Sequence, residues 1–398
     1  MHLKSLELEE FRSYRRLHLA LAESGCRLSG ANASGKSTVL EAVMMLATTR
    51  SVRTTAERDL INWHSGEDLG VPPYARLGGE VRRATGDVAL EISLQADPER
   101  SGSVKKQIRL GRRVVRAMDA VGALRAVLFS PEDVALVTGA PAGRRRYLDM
   151  TISQLDGTYL RALSRYLRVL AQRNGLLKAL GKERWSGTSS SARVQLSYWD
   201  QELVAQGSIL IARRAHVLHN LGELAAERFT ELTGNDDLAV RYLPTFPVPD
   251  TMFDSIDSPV LQATISREFE AQLETGRENE LRRGVSLFGP HRDDFGFDVD
   301  QVDLSTFGSR GQQRLAVVAM KLAETQLMTE IGGEAPVLLL DDVLSELDAG
   351  HRTTVTSVAA EVGAQLIVTS TDGELLQRGD LADLPELHIS GGTIHPSN

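Results

Sequence analysis

The segment Gly30-Ala31-Asn32-Ala33-Ser34-Gly35-Lys36-Ser37 fits the pattern G-x-x-x-x-G-K-[ST], and it constrains the fold more than any other stretch of the chain. Such a loop must wrap phosphate oxygens closely. Glycine is needed where a Cβ would clash, and successive backbone N–H groups then point at the anion. The helix read from Thr38 to Leu46 adds the positive end of its dipole. Lys36 is placed to reach the β and γ phosphates of ATP, and Ser37 to bind Mg²⁺ through its hydroxyl. The expected ATP-binding set is Gly30, Ala31, Asn32, Ala33, Ser34, Gly35, Lys36, Ser37 and Thr38. A loop of this kind needs a strand before it and a helix after it, so the fold is α/β. The strand has an unusual composition. Cys26-Arg27-Leu28-Ser29 is half polar, whereas a central parallel strand ordinarily reads as an unbroken apolar run.

The natural counterpart of this loop lies about 300 residues later. Val337-Leu338-Leu339-Leu340 reads as a buried strand with Asp341 and Asp342 at its carboxyl end, where open α/β sheets place their ligands. Asp341 is the expected Mg²⁺ partner of Ser37. Asp342 is placed to orient or deprotonate an attacking water, which makes Asp342 and Lys36 the expected catalytic pair. Two motifs so far apart must meet in space, so one discontinuous domain is expected. Period-2 alternation marks strands in the first 30 residues and around 76–116. Between about 143 and 233 the period is helical, with Gly181 a plausible end for a helix read over Thr158–Leu180. Ser186–Ser191 reads as a surface loop, and the prolines at 244, 247, 249 and 259 mark a break. The expected division is residues 1–130 with 285–398 as one lobe, and 131–284 as an inserted helical lobe.

A third segment, Thr306-Phe-Gly-Ser309-Arg310-Gly311-Gln312-Gln313-Arg314, opens a helix whose free N–H groups suit an anion. Phosphate loop, S-x-G-Q, apolar strand with Asp-Asp, then Ser345-Glu-Leu-Asp348 is the order found in ABC-class ATPases. At this point the chain resembles the RecF family of bacterial recombination-repair ATPases, nearly end to end. The resemblance rests on Leu8-Glu-Glu-Phe11-Arg12-Ser-Tyr14, Val127-Leu-Phe129-Ser130-Pro131-Glu132-Asp133, Arg144-Arg145-Arg146-Tyr-Leu-Asp149, Tyr159-Leu160 and Gln172-Arg173-Asn174. Gly289-Pro290-His291-Arg292-Asp293-Asp294 and Leu340-Asp-Asp-Val-Leu-Ser-Glu-Leu-Asp348 complete it.

The resemblance implies an ABC-type ATPase head similar to those of SMC proteins, with a short helical lobe in place of long coiled-coil arms. It implies an ATP-dependent homodimer in which Ser309, Gly311 and Gln312 of one subunit approach the γ-phosphate held by the other, with Asp348 at the interface. It also implies binding to double-stranded DNA near single-strand gaps and, with RecR and RecO, help in loading RecA, driven by a weak DNA-stimulated ATPase. Some residues depart from the family. Ala31 and Ala33 stand where Pro and Gly are usual, and Arg310 where Gln is frequent. Ser370 and Thr371 stand where ABC transporters carry a histidine, and Asp342 replaces the transporters' Glu, which suits a slow switch better than a motor.

Net charge is −8, which alone argues against a uniformly basic nucleic-acid binder. The charge is unevenly spread. Residues 101–178 hold 15 Lys/Arg against 5 acids, and residues 331–398 hold 11 acids against 2 basic residues. Arg161, Arg165 and Arg168 fall on one helix face, and with Arg144 and Arg145 they are the candidate DNA contacts. His216 and His219 are spaced for a metal but find no third ligand, and His291 and Arg292 are open to either a site role or a structural one. A single cysteine, Cys26, excludes a disulfide framework and a cysteine zinc site. No apolar run spans a membrane and the N-terminal residues lack a signal-peptide core, so a cytoplasmic protein is expected.

Rival readings are a divergent RecF-like clamp with negligible hydrolysis acting in another DNA process, and a transporter ATPase. An SMC protein is expected to need longer arms, and an ATPase-nuclease a further domain after Asn398.

Overall fold

A computed structural model describes residues 1–67, 70–100, 102–182, 189–234, 237–248, 259–370, 381–390 and 392–396. The chain forms two compact units. One comprises Met1–Val134, Glu231–Gly234 and Val317–Asn398, and the other Ala135–Thr230 and Asn235–Ala316.

The first unit carries two six-stranded sheets. One is antiparallel, in the order β2 (Tyr14–Ala20), β1 (His2–Phe11), β4 (Tyr74–Arg83), β5 (Gly86–Ala96), β6 (Val104–Leu110), β7 (Arg113–Val115). Strict alternation would not bury Leu3, Leu6, Leu8 and Phe11 together, because the spacing changes parity twice. A register shift between Leu3 and Ser5 absorbs the first change, and a left-handed Glu10 at φ 51° lies at the second. All four side chains therefore reach the core.

The other sheet runs β15 (Thr393–Pro396), β14 (Glu386–Ser390), β3 (Gly25–Ser29), β13 (Leu366–Ser370), β12 (Val337–Asp341), β8 (Ala126–Phe129). All its pairings are parallel except the one between β14 and the edge strand β15. The register sets Leu338 opposite Leu366 and Ser370 opposite Ser29, so β3 and β12 flank β13 and end on the same side. The half-polar strand before the phosphate loop is indeed central. Its polar residues are buried and partnered: Arg27 Nε donates to Leu384 O at 2.9 Å, and Ser29 Oγ lies 3.3 Å from His388 Nδ1. Such bonds remove the cost of burying a polar group, which is why apolarity alone misjudges this strand. The helix Lys36–Thr48 buries Val39, Val43 and Leu46 in one core shared by both sheets.

The second unit is built from the helices Pro141–Leu155, Gly157–Lys182 and Pro259–Arg283 and most of the helix Ser189–Thr233. It also holds a three-stranded antiparallel sheet of β9 (Leu238–Leu243), β10 (Asp294–Val299) and β11 (Val302–Asp303). Here the expected lobe boundaries need correction. Residues 285–316 were expected with the ATPase lobe, yet they belong to this unit, and the first boundary falls after Val134 rather than 130. The reason is local: β9 pairs with β10 across six residues, from Asp294↔Leu243 to Val299↔Leu238. The expected loop at Ser186–Ser191 is partly helix, since the long helix begins at Ser189, and its first three residues lie outside the described ones.

Buried polar groups tie this unit together. Arg173, fully buried, donates to Glu280 at 2.6 Å, Asp200 at 2.8 Å and Ser286 at 2.7 Å. Arg214 donates to Tyr159 at 2.9 Å, Asp149 at 2.8 Å and the carbonyl of Pro290 at 2.5 Å. Asp293 accepts from Tyr242 at 2.5 Å and from the Thr245 N–H at 2.9 Å. Several of the motif residues quoted from the helical lobe and from Gly289–Asp294 are thus members of internal networks.

Candidate functional site

The phosphate loop leaves the end of β3 and turns into the helix at Lys36. Two glycines are dictated by space. A Cβ on Gly30 (φ 149°) would lie 2.5 Å from the carbonyl of Ile389, and one on Gly35 (φ 112°) 2.7 Å from the Tyr14 hydroxyl. That hydroxyl donates to Gly35 O at 3.1 Å, and burial pushes its ionisation far above the usual phenol range, so it remains a donor. Ala33 sits at φ 61°, a conformation that glycine adopts more cheaply.

Lys36 folds back over the loop, with Nζ donating to Gly30 O at 2.7 Å and Ala31 O at 2.9 Å. Burial lowers its pKa, and the nearby Asp342 and Asp341 carboxylates oppose that shift. Ser37 Oγ donates to Asp341 Oδ1 at 2.8 Å across 304 positions of sequence. Thr369, at the end of β13, donates to the same oxygen at 2.9 Å and also accepts from the Asp342 N–H at 3.1 Å. Asp342 takes φ 55°, turning the chain sharply after β12. The first unit therefore brings together the loop, Asp341 and Asp342, which line one cleft of about 990 Å³.

The cleft fits a triphosphate and a magnesium ion on its own chemistry. The Ser34 hydroxyl is buried without a hydrogen-bond partner, at a point in the loop where a phosphate oxygen would satisfy it. One hydroxyl and one carboxylate, completed by phosphate oxygens and water, suit Mg²⁺. No cluster of three His, Cys, Asp or Glu occurs among the described residues, His216 and His219 included.

Two builders of the cleft escaped sequence reasoning. Arg12 pairs with Glu41, itself about 1% exposed, through bonds of 2.8 and 3.1 Å, and Ser51 donates to the same carboxylate at 2.5 Å. Their signal in the sequence is Phe11-Arg12-Ser-Tyr14. Phe11 is core, Arg12 braces the helix and Tyr14 braces the loop.

The signature segment lies in the second unit, at the start of the helix Arg310–Gly332. Ser309 and Gln312 cap that helix reciprocally: Gln312 N–H donates to Ser309 Oγ at 3.2 Å, and Ser309 N–H to Gln312 Oε1 at 3.1 Å. Ser309 and Gly311 are exposed. Asp348 caps the helix Ala349–Glu361, accepting from His351 N–H at 3.0 Å, with its carboxylate 66% exposed. Ser370 is buried at the end of β13, and Thr371 lies outside the described residues.

The arginines expected to meet DNA divide into two groups. Arg144 is buried and forked onto Asp294 at 2.6 and 2.7 Å, so it is a structural ion pair and not a phosphate contact. Arg145 donates to the carbonyl of Asp293 at 2.8 Å. Arg161, Arg165 and Arg168 stay exposed on the helix Gly157–Lys182, with Arg165 paired to Glu202 at 2.8 Å. His291 has a structural role: Tyr166 Oη lies 2.6 Å from Nδ1, and Nε2 lies 3.2 Å from the Ser286 carbonyl. Burial lowers its pKa to about 4, which leaves it neutral with Nε2 the donor.

This arrangement is that of an ABC-type nucleotide-binding head of the SMC class. The sequence profile described as "RecF/RecN/SMC N terminal domain" matches residues 2–383. The chain belongs to the RecF family of DNA replication and repair proteins. It is 45% identical to DNA replication and repair protein RecF of Thermomicrobium roseum and 41% identical to that of Herpetosiphon aurantiacus, covering all of each chain. A solved structure described as the recombination mediator protein RecF–ATPrS in the RecFOR pathway superposes with a TM-score of 0.85 at 27% identity, covering 100% of this chain and 98% of that one. An SMC head from Pyrococcus furiosus superposes at 0.53 with 15% identity, covering 100% and 96%, and shares the fold.

Proposed function

We propose that this chain is an ATP-switched DNA-binding protein of recombinational gap repair. The observation that carries the reading is the 2.8 Å bond from Ser37 to Asp341, which joins the phosphate loop to the acidic strand end. On this reading Lys36 exchanges the loop carbonyls for the β and γ phosphates, and the N–H groups of residues 30–38 hold the remaining oxygens. Ser37 and Asp341 would hold Mg²⁺, which neutralises charge on the phosphates. Asp342 orients the attacking water. Hydrolysis to ADP and phosphate is slow and is stimulated by DNA.

Two chains pair when ATP is bound. Ser309, Gly311 and Gln312 of one subunit meet the γ-phosphate of the other, with Asp348 at the junction. The exposed helix start at Ser309–Gly311 supports this, because a helix N-terminus favours a phosphate anion. Duplex DNA near single-strand gaps is held through phosphates, without reading sequence, by Arg161, Arg165 and Arg168. RecR and RecO are the expected protein partners, RecA loading the outcome and the cytoplasm the compartment. No helix among the described residues is long and apolar enough to cross a membrane.

A turnover assay tests the enzyme. ATP consumption should rise on adding duplex DNA and fall at least tenfold in Asp342→Asn. Undetectable turnover with intact ATP binding would favour a clamp without hydrolysis.

A further inference from the structure

Asp348 is exposed, yet its carboxylate is held from within by one residue. Oδ1 accepts from the His351 N–H at 3.0 Å, and Oδ2 lies 2.9 Å from His351 Nδ1. Both oxygens therefore answer to the same neighbour. The bond from the His351 N–H holds the carboxyl below the usual carboxylate range, so Asp348 is an anion.

The other ring nitrogen of His351 is occupied as well. Nε2 lies 3.0 Å from the carbonyl of Leu232, a residue 119 positions away. Leu232 is in the last turn of the helix Ser189–Thr233, and Glu231–Gly234 fold with the first unit. The last carbonyls of a helix have no partner within it, and they favour a cationic donor. His351 thus has an acceptor at each ring nitrogen, an arrangement that a doubly protonated imidazole satisfies at both ends. Neighbouring bonds brace the same segment locally. Arg352 Nε donates to the Leu347 carbonyl at 2.8 Å, and Ser345 Oγ donates to the Asp342 carbonyl at 2.7 Å. His351 is the brace that reaches a distant part of the chain.

We propose that His351 is a positioning residue for subunit pairing: it clamps Asp348 to the carbonyl end of the long helix and presents that carboxylate to the partner in one orientation. The inference rests on reading ATP as the agent that pairs two chains. A carboxylate fixed beforehand loses no rotational freedom when the partner arrives, so the clamp favours association.

A double-mutant cycle on the full chain tests it. Sedimentation with Mg²⁺ and ATP gives the pairing affinity of wild type, His351→Gln, Asp348→Asn and the double variant, and calorimetry gives their ATP affinity. Asparagine keeps the helix cap, so Asp348→Asn removes the charge and leaves the helix start. His351→Gln should weaken pairing roughly tenfold, the worth of one charge-assisted hydrogen bond, with ATP affinity unchanged. In the Asp348→Asn background the same substitution should weaken pairing no further, because the clamp has nothing left to orient. Unchanged pairing in His351→Gln would overturn the proposal. Losses that add in the double variant, or a parallel fall in ATP affinity, would overturn it in favour of a purely structural histidine. A wild type that does not pair with ATP would overturn the pairing reading itself, and the role of His351 with it.

Discussion

Lys36 is held at 2.7 and 2.9 Å by carbonyls of its own loop, bonds that the proposed ATP binding would exchange for phosphate oxygens. Lys36→Ala removes the charge and should weaken ATP binding at least a hundredfold by calorimetry, with the melting temperature of the nucleotide-free protein little changed. Ala33 carries the opposite kind of constraint. At φ 61° an alanine costs roughly 1–2 kcal/mol, part of which glycine returns as unfolded-chain entropy. Ala33→Gly is expected to raise stability by about 1 kcal/mol in urea unfolding. His291 gives a pH dependence. Its folded pKa of about 4 lies below the unfolded value, so the unfolded state binds more protons between pH 4 and 6.5. Its contribution is complete above pH 6.5 and is lost as pH falls toward 4. The ring is half-buried, so the loss is about 2 kcal/mol, and His291→Gln should flatten that part of the stability curve.

At the scale of elements, the helix Gly157–Lys182 separates two uses of arginine. Arg173 faces inward between Glu280 and Asp200. Removing it leaves the fully buried Glu280 carboxylate without its arginine, while Asp200 keeps Arg277 at 2.8 Å, and Arg173→Met is expected to cost about 3–5 kcal/mol without touching nucleotide affinity. Arg161 and Arg168 face outward, bonded among the described residues only to Thr158 Oγ1 at 3.1 Å and Ser164 O at 3.3 Å. Replacing both with glutamine should lower the slope of log K against log salt for duplex binding by about 1–2, since each phosphate contact contributes roughly 0.9. An unchanged slope would remove this face from the DNA surface. The two motifs that meet at Ser37 and Asp341 were legible in the sequence because their residue types are imposed by phosphate and metal chemistry. The role of Arg144 was not legible, since a surface arginine and a buried one share the same letter and only its fork onto Asp294 decides. The boundary at 285 failed for a related reason. The stretch around the prolines reads as a break, and nothing in the sequence shows that it begins with a strand, β9, that pairs with β10.

Across the whole molecule, the net charge of −8 hides separated regions, and the structure refines the basic one. Lys106 pairs with Glu57, Arg109 with Glu91, Arg125 with Glu334 and Arg144 with Asp294, carboxylates that all lie outside the window 101–178. Much of the positive excess is therefore spent inside the fold, and the surface left for phosphate is narrower than the sequence count implies. The central claim is a switch in which ATP joins two chains. Sedimentation velocity on wild type and Lys36→Ala, each with ATP, ADP or no nucleotide and with or without gapped duplex DNA, tests it most directly. Wild type should be a dimer with ATP alone and a monomer in ADP and without nucleotide, and Lys36→Ala should form no ATP-dependent dimer. A Lys36→Ala protein that dimerises with ATP as wild type does, or a wild type whose mass ignores the nucleotide, would contradict it.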